Sequence, residues 1–178
     1  MTAEQLLDCP DLGRCELIKG ELNQMTPAGA DHGQTTLRLS LRLGNHVEQH
    51  QLGALFAAET GFLIARNPDT VRAPDVAFVR TERLPRVRTP GYFDGPPDLA
   101  VEVLSPNDRA SDVLQKVQDW LASGCGQVWV VDPDSQTVSV YRTHGQTEIL
   151  TGADQLTGGD VVADFTIRVA EIFAELNR

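Results

Sequence analysis

The apolar positions of this chain keep two rhythms. In short runs they stand side by side or alternate, as strands require, and in two longer stretches they recur every three or four residues, as helices require. From Cys15 to Leu22 the pattern is a β-hairpin, turning near Lys19-Gly20. From His32 to about Gln49, Leu37, Leu41, Leu43 and Val47, with Leu39 less in step, predict an amphipathic helix opened by Asp31 as its N-cap. Ala54 to Ala65 reads as a strand or a bent pair, and Val71 to Val79 as a strand entered through Pro74.

Leu99 to Leu104 is an apolar, β-branched run bracketed by Pro97 and Pro106, the pattern of a strand covered on both faces. A helix over Ala110–Ser123 follows, capped at Asn107 or Asp108 and stopped at Gly124. Val128–Val131 is a second buried strand and Thr137–Arg142 returns beside it. A strand pair and a short helix, Val169 to Leu176, close the chain. A helix crossing between two buried strands makes them parallel. The expectation is one α/β or α+β domain on a single mixed sheet flanked by helices.

One position breaks the pattern. Glu102 sits at the centre of the buried run, where an unpaired carboxylate costs several kcal/mol. Either a cationic partner neutralises it, or it holds a metal ion where the sheet opens. Asp75, following Pro74 at the mouth of a strand, is a second carboxylate that could meet it. Two carboxylates from adjacent strands suit Mg²⁺, which takes few protein ligands and keeps several waters. On a wheel of about 100° per residue, Lys116 falls beside Trp120 on the rim of the apolar face of its helix. From there its stem can pack while its ammonium reaches the sheet edge. Each residue also has a plainer reading: Asp75 as a turn cap, Lys116 and Glu102 as a structural ion pair, and His32 as a helix-start residue bonded within its own turn.

Bulk composition narrows the field. At 178 residues the chain can bury a sizeable core unaided, and its 41% hydrophobic and 22% charged content is that of an ordinary globular protein. No apolar run approaches the roughly 18–20 residues of a membrane span. The first residues lack the basic and apolar regions of a signal peptide, which makes the cytoplasm the default. Cys9, Cys15 and Cys125 show no Cys-x-x-Cys spacing, so free thiols are expected. With 15 basic and 25 acidic residues the net charge is −10, which argues against a general electrostatic grip on nucleic acid.

The ordered set of motifs resembles the Uma-two family of endonucleases, within the PD-(D/E)XK restriction-endonuclease-like superfamily. Pro74-Asp75 and then Glu102 match the acidic part of the motif, while the lysine expected two residues later is Leu104. In that family the lysine stands on the following helix, and Lys116 matches it. The hairpin from Cys15 to Leu22, His32, the run from Pro97 to Pro106, Trp120, Gly124, the strand from Val128 to Pro133, and Asp164 to Ile167 agree as well. The resemblance implies a restriction-endonuclease-like fold with a central mixed sheet. It also implies a phosphodiesterase acting on DNA with Mg²⁺ or Mn²⁺. Asp75 and Glu102 would ligate the ion and Lys116 would stabilise the transition state, with Glu16 and His32 as additional site residues. A homodimer is the natural assembly for cutting two strands.

Arg72, Arg80, Arg83, Arg86 and Arg88 cluster around the Asp75 strand. They are expected either to track a phosphate backbone beside the cleft, or to pair with the surplus acids. Two rivals stand beside the nuclease reading: a nucleic-acid-binding or regulatory module of the same fold that has lost turnover, and a hydrolase of smaller phosphodiesters.

Overall fold

The computed structural model describes residues 1–84, 90–143 and 145–174. The chain opens with helix α1 (Ala3–Leu7) and a short 3-10 turn, then strands β1 (Cys15–Ile18) and β2 (Glu21–Gln24). Helix α2 (Ala30–Gln49) leads into β3 (Gly53–Ala57), β4 (Phe62–Ala65), β5 (Thr70–Arg72) and β6 (Val76–Arg80). After β7 (Phe93–Asp94) and β8 (Leu99–Val103), helix α3 (Ala110–Ala122) crosses to β9 (Gln127–Asp132). Then come β10 (Thr137–Arg142), β11 (Thr147–Leu150), β12 (Gln155–Thr157), β13 (Thr166–Arg168) and α4 (Val169–Phe173).

The central sheet is six-stranded, in the order β11-β10-β9-β8-β6-β3. Its β8 and β9 run parallel, joined by the α3 crossover as the sequence pattern requires, and its other neighbours are antiparallel. Strand alternation sorts the side chains. Val76, Phe78, Leu99, Val101, Val103, Trp129 and Val131 join Leu39, Leu43 and Val47 of α2 in one apolar layer. Ala77, Val79, Ala100, Val128 and Val130 join Val117 and Trp120 of α3 in the other. Glu102, lying between Val101 and Val103, therefore faces α3. At about 1.5–3 kcal/mol per fully buried large apolar side chain, these layers outweigh any single polar contact.

A five-stranded sheet, β2-β1-β5-β4-β7, stands beside the central one where a single sheet was expected. The division occurs in the stretch read as one strand from Val71 to Val79. β5 belongs to the five-stranded sheet and β6 to the central one, with the chain crossing between them at Ala73-Pro74-Asp75. Proline has no N–H to give a ladder, so it breaks the strand there. Phe62 of β4 joins the α3-side layer and meets Trp120 edge-on with ring centroids 6.2 Å apart, which ties the two sheets together.

Two helical details also differ from expectation. In α2 the buried stripe is Thr35, Leu39, Leu43 and Val47, whereas Leu37 and Leu41 are 59% and 56% exposed. Two residues along a helix is about 200° of rotation, so Leu37 and Leu41 point away from the layer that Leu39 and Leu43 enter. The N-caps are Gly29 and Arg109, neither of which makes a side-chain cap bond. Asp31 lies inside the first turn, and Asp108 instead accepts a hydrogen bond from the Ser105 N–H at 2.8 Å. The end of α3 is as expected. Gly124, at φ +103°, donates to Leu121, and Cys125 donates to Trp120, the Schellman arrangement that only a residue at ease with positive φ closes cheaply. The last turn expected up to Leu176 lies outside the described residues.

Candidate active site

Crossing between sheets at Pro74 leaves Asp75 at the lip where they part. Its N–H donates to the Val101 carbonyl at 3.0 Å, and its Oδ2 accepts from the Val103 N–H at 2.8 Å. The side chain thus continues the β6–β8 ladder past the end of β6. His32, in the first turn of α2, approaches the same oxygen with Nε2 at 3.2 Å. That hydrogen bond, followed by attraction to the Asp75 charge, raises the pKa of His32 above its ordinary value despite partial burial. The other ring nitrogen, Nδ1, is buried and has no partner among the described residues.

Glu102 resolves its conflict with the apolar strand through α3. Its Oε1 accepts from the Trp120 indole N–H at 2.8 Å and its Oε2 from the Lys116 ammonium at 3.0 Å. Lys116 and Trp120 are four residues apart and so stack on one helical face. Burial still pushes the Glu102 pKa up; Lys116 and Trp120 oppose the shift, while the charges of Asp75 and Glu16 add to it. Burial alone would lower the pKa of Lys116, but Glu102, Glu16 and Asp75 together raise it and keep the ammonium charged.

Glu16 of β1 is buried behind this group. Its Oε2 pairs with Arg72 Nη1 at 2.7 Å and its Oε1 accepts from the Ala73 N–H at 3.1 Å. Arg72 also reaches Asp119 of α3, through Nε at 3.1 Å and through Nη2. Of the two expectations for Arg72, pairing with acids holds and a phosphate contact does not. Arg72 is 2% exposed and spans β5, β1 and α3, so its guanidinium is consumed by two carboxylates and faces no phosphate backbone. Arg83 likewise pairs with an acid. β6 begins beside Asp75 and ends at Arg80, about 17 Å away at the rise of a strand, and Arg83 follows at that far end, bound to Asp98 at 3.0 Å and to the Pro96 carbonyl at 2.7 Å. Arg86 and Arg88 lie outside the described residues.

Glu16, His32, Asp75, Glu102 and Lys116, with Arg14, line one cavity of about 500 Å³. The structure brings together Glu16, Asp75, Glu102, Lys116 and His32, the candidate residues singled out in the sequence. Sequence reasoning missed the parts played by Trp120, Asp119 and the Val103 N–H. A tryptophan one helical turn beyond Lys116 was the only signal for the first. Nothing local marks the other two.

Among the described residues, no three His, Cys, Asp or Glu side chains are grouped so as to hold a metal ion. The donor set therefore fits only an ion that takes two carboxylates from the protein and fills its remaining positions with water or phosphate, as Mg²⁺ does. Asp75 and Glu102 meet that description. Asp75 Oδ1 carries no hydrogen bond among the described residues, while the two Glu102 oxygens are held by Trp120 and Lys116.

A mixed, helix-flanked sheet with two acids at its open lip and a lysine reaching in from the next helix defines a restriction-endonuclease-like α+β protein. A crystal structure described as a "putative nuclease belonging to DUF820" from Anabaena variabilis ATCC 29413 shares this fold, with a TM-score of 0.84 and 23% identity over 97% of each chain. No curated protein matches the sequence. The profile of the Uma2 family, described as "Putative restriction endonuclease", matches residues 3–170, and the chain belongs to that family.

Proposed function

We propose that the chain is a divalent-metal-dependent endonuclease that hydrolyses DNA phosphodiester bonds. The observation that carries this reading is the Lys116–Glu102 pair, 3.0 Å apart, sharing one cavity with Asp75. Family membership supports the reaction class. Asp75 and Glu102 would hold Mg²⁺ or Mn²⁺, which when bound polarises the scissile phosphate and acidifies a water.

The remaining chemistry belongs to the protein's own side chains. Lys116, held protonated by the surrounding acids, offers a charged donor to the phosphate oxygens as negative charge builds on them. Trp120 fixes the Glu102 carboxylate so that Oε2 faces Lys116. His32 holds Asp75 in place through its Nε2, 3.2 Å from Oδ2. Glu16, tied to Arg72 and to the Ala73 N–H, acts from behind as a support. The chain works as one domain in the cytoplasm under this reading; among the described residues no helix is long and apolar enough to cross a membrane.

The test is incubation of the protein with plasmid, single-stranded DNA, RNA and a small phosphodiester, in Mg²⁺, Mn²⁺ or chelator. Nicking of DNA that needs the ion is the expected result. Glu102→Gln, which keeps the Trp120 hydrogen bond but drops the charge, should abolish it, and Lys116→Met should slow it by about 10²–10³-fold. Metal binding with no cleavage of any substrate would favour the non-catalytic module. Cleavage of the small diester alone would move the assignment to that substrate class.

A further inference from the structure

We propose that the edge of the central sheet at β3, together with the outer face of α2, is a two-fold interface for a second copy of this chain. The inference rests on backbone polarity and surface composition and is independent of the nuclease reading.

β3 closes one side of the six-stranded sheet. The Thr81 N–H donates to the Leu52 carbonyl at 3.1 Å. In an antiparallel ladder hydrogen-bonded pairs alternate. The bonded pairs across β3 and β6 are therefore Ala54–Val79 and Phe56–Ala77. Gly53, Leu55 and Ala57 turn their N–H and C=O groups outward. The Phe78 carbonyl bears this out, since it points the other way, to the Asp98 N–H of the β8 side at 2.8 Å. Among the described residues, nothing pairs with the outward groups of Gly53 and Leu55.

Exposed edges are usually blunted with charge or proline. The opposite edge, β11, carries Glu148, paired to Arg142. β3 reads Gly-Ala-Leu-Phe-Ala and carries neither. Beside it, α2 exposes Leu37 and Leu41, and a groove of about 440 Å³ lies between helix and strand, lined by Leu41, Gly44, Val47, Gly53 and Leu55 and with Glu48 as its one charged residue.

A second copy satisfies both features with one operation. An antiparallel edge is its own complement. A two-fold axis at Leu55 sets Leu55 against the partner's Leu55 and Gly53 against the partner's Ala57, so that the free groups of Leu55 and Gly53 meet groups of the opposite kind; the Ala57 carbonyl also accepts from its own Thr60 N–H at 3.3 Å. Leu41 and Leu55 line the same groove. The same axis then lays α2 antiparallel to the partner's α2, with Leu41 bordering the shared edge.

Sedimentation of the full-length chain over a range of micromolar concentrations tests this. The expected result is a species of twice the chain mass, reduced to a monomer with unchanged far-UV circular dichroism by Leu37→Glu/Leu41→Glu. Ile149→Glu, on the exposed face of β11, should leave the dimer intact. A Leu41→Cys variant in a Cys9→Ser background should join to itself with a short bis-maleimide in dilute solution. A wild-type monomer throughout, a dimer that survives the double substitution, or a dimer lost only in Ile149→Glu would each overturn the proposal.

Discussion

Strands β6 and β8 carry an aspartate at each end of their pairing, and the backbone treats the two alike. At one end the Asp75 N–H donates to Val101 and its carboxylate accepts from the N–H of Val103, two residues on. At the other the Asp98 N–H donates to Phe78 and its carboxylate accepts from the N–H of Arg80, again two residues on, at 2.9 Å. Antiparallel pairing makes the ends equivalent, so Asp75 caps a strand ladder where a turn cap was the plainer expectation, and that role says nothing about chemistry. What separates the ends is the company on the free side of each carboxylate. Asp98 meets Arg83 at 3.0 Å and Arg80 at 3.8 Å, two guanidinium groups that leave no charge to satisfy. Asp75 meets an imidazole, and the charge beside it is another carboxylate, Glu102.

The same substitution at both ends should break the equivalence. Asn keeps an acceptor oxygen for the strand N–H and removes only the charge. Asp75→Asn should cut DNA cleavage by at least about 10²-fold, in line with loss of one electrostatic element of a catalytic site, with little change in melting temperature. Asp98→Asn should do the reverse: unaltered cleavage, and a stability loss of about 0.2–1 kcal/mol, because the Arg83 pair is partly exposed to solvent. Equal losses of activity at both positions would show that the site end owes its role to folding alone.

The next contrast lies behind Asp75, where Arg72 is buried between Glu16 and Asp119 while Arg83 sits at the surface. Removing one partner from a buried pair strands the other charge. Arg72→Met should therefore destabilise the fold by about 3–5 kcal/mol. Arg83→Met should cost under about 1 kcal/mol. Because Arg72 ties α3 to β1 and β5, cleavage by a partly stabilised Arg72 variant should fall in kcat more than in KM. Lysine should not rescue it, since a point charge cannot span both carboxylates as the planar fork does. Chemical denaturation followed by steady-state kinetics on the folded fraction measures both.

These two arginines mark where the sequence stops being legible. The periodicity of Leu99–Leu104 and Val128–Val131, and the helix between them, place Glu102 and Lys116 together without coordinates, because a crossover helix must return over the strand it left. Asp75 was legible as a strand mouth, but the change of sheet at Pro74 was not: a single break in a run looks the same whether the chain continues in one sheet or enters another. For arginines, clustering along the chain suggested a basic surface. Strand direction instead carries Arg80 and Arg83 away from the cleft, and a gap between two sheets swallows Arg72. Linear spacing holds no trace of either. Leu37 and Leu41 failed for a simpler reason, since apolar residues on both sides of α2 satisfy two helical stripes and only the tertiary contact selects one.

The smallest expected effect separates the two aspartates by pH. The side-chain partners of Asp98 are guanidinium groups with no imidazole among them, so the stability lost in Asp98→Asn should be flat between pH 6 and 9, values chosen to bracket the ordinary histidine pKa of about 6.5. His32 does titrate, and its pKa is raised by the hydrogen bond to Asp75. A group whose folded pKa is raised stabilises the fold fully below its unfolded pKa, and that contribution fades as the pH climbs through the folded value. In chelator, where no ion competes for Asp75, the melting temperature of the wild type should thus exceed that of His32→Asn most near pH 6. The gap should close steadily towards pH 9. A gap that stays constant over this range would mean that the imidazole is held by packing, and that the Asp75 end, like the Asp98 end, carries no titrating partner.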